Sequence, residues 1–379
     1  WITSNLSVGD VLGSNPGNEL VFGIINRSTN GQGYIHVRDS LNLGNLLFNY
    51  PLPSTLKYVR GVVLYNITGD SNLELVFTAY FPNQKRARLY ILDPDSPNPL
   101  VCSRDFAEHI WSIPLVTTYS GSIYIVIGGG GNDSGGNLYV LNSSCNIVKT
   151  ISFAGHLKEG FLADVNIDGN MDWVGGLTQP NGANYAVFVS NIFGAHTTSY
   201  VLLGVLSSIA GRNTIRGPIP VDADGNGSFE SAFFAETAQS QSDGVRWSYV
   251  SVVNFSTQTI RWRNLLNVWV YSNPVAGDFD GMGTRREVLV GGLNGAERET
   301  IFMFDALLGV TKLFYPLALR EYETVGAFGL YIDDIDNDGR MELLVAGDKG
   351  CFYSFELGAR KWQLDVKHFR RNQLLNGVW

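Results

Sequence analysis

A nine-residue acidic loop that runs straight into an apolar strand occurs three times in this chain, and its spacing constrains the fold most. The first copy is Asp164-Val-Asn166-Ile-Asp168-Gly169-Asn170-Met-Asp172 before Trp173-Val. The second is Asp222-Ala-Asp224-Gly-Asn226-Gly227-Ser228-Phe-Glu230 before Ser231-Ala-Phe-Phe. The third is Asp334-Ile-Asp336-Asn-Asp338-Gly339-Arg340-Met-Glu342 before Leu343-Leu-Val-Ala. Weaker copies fill the gaps. Anchored on the first loop position, the series runs Asp10, Asn66, Thr117, Asp164, Asp222, Asp278 and Asp334, at intervals of 56, 51, 47, 58, 56 and 56 residues. Seven near-equal units therefore account for almost all of the 379 residues, and a period of this size marks a repeat architecture.

Every unit has the same grammar. An apolar strand leads into the loop, and a second follows, such as Leu73-Glu-Leu-Val-Phe or Ile123-Tyr-Ile-Val-Ile. After a polar loop comes an aromatic-rich strand, such as Arg88-Leu-Tyr-Ile-Leu or Asn137-Leu-Tyr-Val-Leu. A tight turn leads to a fourth, such as Ile147-Val-Lys-Thr-Ile or Ile260-Arg-Trp-Arg. Short strands at even spacing, with no helical period, predict an all-β repeat. Four antiparallel strands in each of seven units predict one seven-bladed β-propeller over 1–379, whose radial closure leaves only short edges. Two stacked sandwiches fit seven near-equal units less well. The segment 367–379 begins no further blade and is expected to pack across the first and last blades as a closing tail.

The loops and their flanking strands resemble FG-GAP/VCBS repeats, the blades of integrin-α-type propellers. The resemblance spans essentially the whole chain and is specific for fold and metal rather than for role. It implies Ca²⁺ in loops that join the first and second strands of a blade. Hard cations take six to eight oxygen ligands, which alternate acidic side chains and a backbone carbonyl can supply. Carried onto this chain, the ligands are Asp164, Asn166, Asp168, Asp172 and the Asn170 carbonyl; Asp222, Asp224, Asn226, Glu230 and the Ser228 carbonyl; and Asp334, Asp336, Asp338, Glu342 and the Arg340 carbonyl. Solvated Asx turns are the plainer alternative for any one loop. The segment from Lys367 resembles the tail that often follows secreted propellers.

The other loops decay. Asp278-Phe-Asp280-Gly-Met282-Gly283-Thr-Arg285-Arg286-Glu287 has Met282 at the fifth position and two arginines, and is expected to be empty. Asn66-Ile-Thr68-Gly-Asp70-Ser-Asn-Leu-Glu74 keeps oxygens but little charge, so weak or no binding is expected. Asp10, with Leu12 and Ser14 at the following alternate positions, is expected to bind nothing. Thr117 to Ser122 reads as a plain hairpin. A turn built both with and without the ion argues for a structural metal, not a catalytic one.

Composition narrows the function class. Charged residues are 16% and the net charge is −8, so there is no basic footprint for nucleic acid and no apolar run of membrane-spanning length. Sequons at Asn5, Asn26, Asn66, Asn132, Asn142, Asn226 and Asn254 lean toward a secreted or cell-surface glycoprotein. Asn226 is also a predicted ligand and is expected to stay unmodified. Cys102, Cys145 and Cys351 lack zinc spacing. A Cys102–Cys145 bridge and three buried thiols are both open.

Loops on a rigid scaffold are where binding concentrates, and Tyr80, Phe81, Lys85 and Arg86 form the most ligand-like cluster, with aromatic faces beside cations. Gly128 to Gly136 is not a phosphate loop, because a strand rather than a helix follows it. The five histidines are dispersed and no nucleophile elbow occurs. The expectation is a non-catalytic propeller for adhesion or ligand binding, with a glycan, a surface protein or further copies of itself as partner. Low charge and many Tyr and Asn residues also suit a subunit of a surface coat or filament. The enzyme alternative is a polysaccharide lyase on a calcium-loaded propeller, for which Arg60, Lys158, Arg212, Arg216 and Arg320 lie near blade entries.

Overall fold

The computed structural model describes the chain outside residues 1–3, 5–6, 16, 27–30, 40–41, 43, 82–85, 111, 131–134, 206–209, 227–228, 230, 241–245, 271–273, 280–285, 295–298, 316–324, 334–339, 348–351, 361–373 and 376–379. The described residues form no helix, and their strands assemble into seven sheets in chain order. Two compact units divide the chain, Trp1–Leu157 and Lys158–Trp379.

The first unit holds three four-stranded meanders. Sheet 1 contains β1 (Ser7–Gly9), β2 (Glu19–Asn26), β3 (Gln32–Asp39) and β4 (Leu46–Pro51). Sheet 2 contains β5 (Tyr58–Tyr65), β6 (Glu74–Phe81), β7 (Arg86–Leu92) and β8 (Leu100–Phe106). Sheet 3 contains β9 (Leu115–Tyr119), β10 (Ser122–Gly128), β11 (Gly136–Asn142) and β12 (Ile147–Phe153). Its first hairpin pairs Tyr119 with Ser122. Ser120 and Gly121 both take positive φ there, the backbone a tight two-residue hairpin requires. This is the plain hairpin the sequence predicts.

Sheet 4, whose first strand starts two residues before the boundary, contains β13 (His156–Ala163), β14 (Asp172–Thr178), β15 (Ala183–Ser190) and β16 (Thr197–Val205). The rest of the second unit continues the series. Sheet 5 contains β17 (Ala210–Val221), β18 (Ser231–Ser240), β19 (Arg246–Asn254) and β20 (Thr259–Leu266). In sheet 6, β21 (Val268–Val270) and β22 (Val275–Gly277) both pair with β23 (Glu287–Asn294), followed by β24 (Glu299–Asp305) and β25 (Thr311–Tyr315). Sheet 7 contains β26 (Val325–Asp333), β27 (Arg340–Gly347) and β28 (Phe352–Arg360). The fourth strand expected at Lys361–Val366 lies outside the described residues.

Burial explains why the second strand of a unit reads as an unbroken apolar run. Every residue of β14 is buried, and so are the first six of β6, as in strands covered on both faces. Fourth strands alternate or face solvent, as in β12 and β8. Within each unit, consecutive sheets share a core. One joins sheets 1 and 2 around Val21, Val59 and Phe77, and one joins sheets 2 and 3 around Val76, Ile91 and Ile125. Others join sheets 4 and 5 around Val174 and Phe234, and sheets 5 and 6 around Phe233, Val290 and Phe304. Gly61 serves this packing, because a Cβ there would sit 2.3 Å from Ile113 Cδ1.

Register makes the units comparable. Sheets 1, 2, 3, 5 and 6 carry a bulge in which an extra fourth-strand residue faces the end of the third strand, at Val37/Arg38, Ile91/Leu92, Val140/Leu141, Val252/Val253 and Met303/Phe304. Cys102 on β8 and Cys145 in the β11–β12 turn form a disulfide with Cα atoms 6.0 Å apart.

The tail departs from expectation. Its described part, β29 (Leu374–Leu375), pairs in parallel with β13, Leu162 opposite Leu374 and Ala163 opposite Leu375. It thus extends sheet 4, not the first or last sheet. β13 is otherwise an edge strand, and an edge offers unpaired backbone groups that an extended segment can satisfy.

Candidate metal-binding loops

The best-described acidic loop connects β13 to β14. Asp164 Oδ1 and Oδ2 accept the amides of Asp168 and Gly169 at 3.0 and 2.8 Å. Asn166 Oδ1 also accepts the Asp168 amide at 3.2 Å, and its Nδ2 donates to Asp168 Oδ2 at 3.0 Å. Asp168 Oδ1 accepts the Asn170 amide at 2.8 Å. That last bond is the main reason the exposed Asp168 carboxyl sits below its ordinary pKa. The side chains wrap the turn and offer oxygen alone, a donor set suited to a hard dication. Asp164, Asn166, Asp168 and the Asn170 carbonyl would hold such an ion.

Asp172 plays a different part. Its fully buried carboxylate accepts the Val165 amide at 3.1 Å and the Asn191 amide at 2.8 Å. Burial pushes its pKa up to about 6, the two amides oppose that rise, and Asp168 and Asp164 add to it. Asp172 therefore staples the loop to the start of β14 and to the β15–β16 turn.

The same staple recurs. Glu19 Oε2 accepts the Val11 amide at 2.8 Å, Glu287 Oε2 accepts the Phe279 amide at 2.7 Å, and Glu74 Oε2 accepts the Ile67 amide. All four acids are buried, and each bonds the second residue of its loop. The bond forms in loops rich and poor in acids alike, so it maintains the turn whatever the charge of the loop. Glu19 escapes the sequence reading because its loop is one residue longer. The fourth loop position was missed too. Gly69, Ile167 and Gly225 have φ of 85°, 59° and 75° there. The visible signal is a glycine at this position in four loops (13, 69, 225 and 281), and Ile167 breaks that pattern.

In the fifth loop, the Asn226 amide donates to Asp222 Oδ1 at 3.0 Å and Asp224 Oδ1 at 3.2 Å, which repeats the first turn. Gly227, Ser228 and Glu230 lie outside the described residues. Register sets Ser231, not Glu230, opposite Asn254, the place that Glu19 and Glu287 take opposite Asp39 and Asp305. Asp334, Asp336 and Asp338 also lie outside the described residues. Arg340 and Glu342 open β27, where the Arg340 guanidinium bonds Glu356.

Among the described residues, the trio of acids whose carboxylate oxygens all lie within 4.8 Å of one another is Asp70, Glu74 and Asp93, in sheet 2. The linear motif could not show it, because Asp93 comes from the end of the third strand. Sheet 6 repeats the Glu74–Asp93 pair as Glu287 and Asp305, with cations built in. Lys312 Nζ lies 2.6 Å from Glu287 Oε1 and 4.0 Å from Asp305 Oδ2, and Arg286 Nη1 lies 3.9 Å from Asp278 Oδ2. The arginine read as repelling an ion is thus paired with the loop's first acid.

The predicted ligand cluster is rearranged. Tyr80 stacks on Tyr58 with centroids 4.9 Å apart, Arg60 lies 5.3 Å over its ring, and His109 lies 5.8 Å away. Phe81 packs against the core of sheets 1 and 2, Arg86 is exposed, and Lys85 lies outside the described residues. Of the other basic residues, Lys158 and Arg216 are half-buried, while Arg320 and the Arg212 side chain are not among the described parts. Several sequon side chains are engaged. Asn66 donates to the Asp70 carbonyl, Asn142 accepts the Ser144 and Asn146 amides, and the buried Asn254 accepts from Thr257. Asn5, Asn132 and the Asn26 side chain are outside the described set.

No protein-family model and no curated protein matches the chain.

Proposed function

We propose that this chain is a calcium-bearing seven-bladed propeller of FG-GAP type that works by binding rather than catalysis, with a glycan or surface protein as partner or copies of itself. The observation that carries the reading is the recurrence of one oxygen-lined turn between the first two strands of successive sheets. Sheet 4 dresses it with carboxylates, and sheet 6 neutralises it with Arg286 and Lys312. An acidic turn kept in register, either charged or internally compensated, is what an ion-braced scaffold requires. The Cys102–Cys145 bridge supports an oxidising compartment, and seven sequons agree with export.

Calcium would stiffen the loops and leave the β2–β3 type connections free to vary, which suits recognition. Two measurements test the reading. A thermal melt with chelator should show a lower midpoint than one in millimolar Ca²⁺, because an ion bound only to the folded state stabilises it. A glycan array with light scattering should then show saturable glycan binding or concentration-dependent assembly. Turnover of uronic-acid polymer, with neither of these, would replace the binding reading by the lyase one.

A further inference from the structure

We infer that Lys312 is a resident cation that takes the place of a metal ion in sheet 6, so this sheet keeps the acidic turn without depending on calcium. The inference rests on the calcium reading only for its contrast with sheet 4. Register aligns sheets 2 and 6 residue by residue. Glu287 stands opposite Asp305, and the residue before each bulge partner matches: Phe304 pairs with Thr311 as Leu92 pairs with Leu100. Glu74 and Asp93 are therefore the counterparts of Glu287 and Asp305, and Val101 is the counterpart of Lys312.

Both sheets draw these buried or half-buried acids together. In sheet 6 the ammonium lies 2.6 Å from Glu287 and 4.0 Å from Asp305, while Glu287 also holds the loop through the Phe279 amide. Glu287 is fully buried, and a buried carboxylate needs a compensating charge or hydrogen bonds. The lysine supplies the charge, and Arg286 supplies a second one near the buried Asp278. Three acids and two cations leave little negative charge to attract a dication. In sheet 2, Val101 cannot do the same, and the carboxylates of Asp70, Glu74 and Asp93 share the space. The contrast also explains why the sixth loop tolerates Met282 where other loops carry an oxygen ligand.

The test uses the full chain and hydrogen exchange read by mass spectrometry. Chelator should speed exchange in the Asp164–Asp172 loop and leave β23 and β25 unchanged. Lys312→Met should speed exchange in β23 and β25 by about an order of magnitude, as expected when a buried charge loses its partner, with or without calcium. Lys312→Arg should restore most of the protection. The reciprocal graft, Val101→Lys, should raise the melting midpoint by placing an ammonium among Asp70, Glu74 and Asp93. Calcium-dependent protection of β23 in the unmodified chain would overturn the inference. So would wild-type exchange in Lys312→Met, or an unchanged or lowered midpoint in Val101→Lys. If the chain binds no calcium at all, chelator changes nothing anywhere, yet Lys312→Met still loosens sheet 6, so the two failures are distinguishable.

Discussion

Ile167 shows how much a single position in the turn is constrained. It is a β-branched residue at φ 59°, 68% exposed, where four equivalent loops have glycine, two of them with positive φ. A left-handed backbone costs an L-residue about 1–2 kcal/mol, and glycine is spared that cost. Ile167→Gly should therefore stabilise the chain by about 0.5–1 kcal/mol, since glycine's greater freedom in the unfolded chain returns part of the gain. Denaturant melts would register this, and a destabilised variant would show that the Ile167 side chain contributes packing instead. Glu236 illustrates the opposite situation, a residue costly to ionise. It is fully buried, receives Arg263 Nη2 at 2.8 Å and accepts from Asn184 Nδ2 at 3.1 Å. Burial nonetheless raises its pKa above 4.5, with Arg263 the chief opposing influence. A native pKa above the unfolded one favours the fold in the protonated form. The contribution is complete below the ordinary value of 4.5 and is lost as pH rises through the native value. The stability of the wild type relative to Glu236→Gln should thus fall as pH rises from the ordinary value of 4.5 through the raised native value. A gap that widens over that range would reverse the sign assigned to the desolvation.

At the scale of strands and loops, the repeat was legible because it is written in local chemistry. Apolar runs, turn residues and acids at alternate positions set the seven meanders, and the third unit's hairpin could be read outright from Ser120-Gly121. Pairings across distance were hidden. Asp93 meets Glu74 through the pairing of the second and third strands, and Lys312 reaches Glu287 as the extra residue of a bulge in the fourth strand; no linear spacing encodes either. Glu19 was missed because one inserted residue moved it off the motif. The pairing of Leu374–Leu375 with β13 was illegible for the same reason, since an open edge accepts any extended segment that reaches it. The disulfide belongs to this scale as well. It joins β8 to the β11–β12 turn across a sequence separation of 43 residues. Replacing Cys102 and Cys145 with serine should lower stability by about 4 kcal/mol, the chain-entropy effect of freeing a loop of this size. A denaturant midpoint that did not move under oxidising conditions would mean that shared packing of sheets 2 and 3 suffices.

At the scale of the molecule, the two units use one building principle with different fastenings. The first unit relies on buried staples, Glu19 and Glu74, and on a covalent bridge. The second combines a staple and carboxylate-rich turn in sheet 4, an Asp222 turn in sheet 5, and internal cations in sheet 6. These fastenings are local, which is why the all-β repeat of four-stranded sheets was readable from sequence, whereas the loops between strands share no pattern from which the proposed partner could be read. Calcium is the point on which the proposed reading stands or falls. The most direct measurement is the metal content of the purified chain after equilibration in millimolar Ca²⁺ and removal of free ion, by plasma mass spectrometry. About three bound Ca²⁺ per chain is the expected result, lost on chelation, with Asp164→Ala or Asp168→Ala removing one of them. A chain that retains no calcium under these conditions would contradict the account.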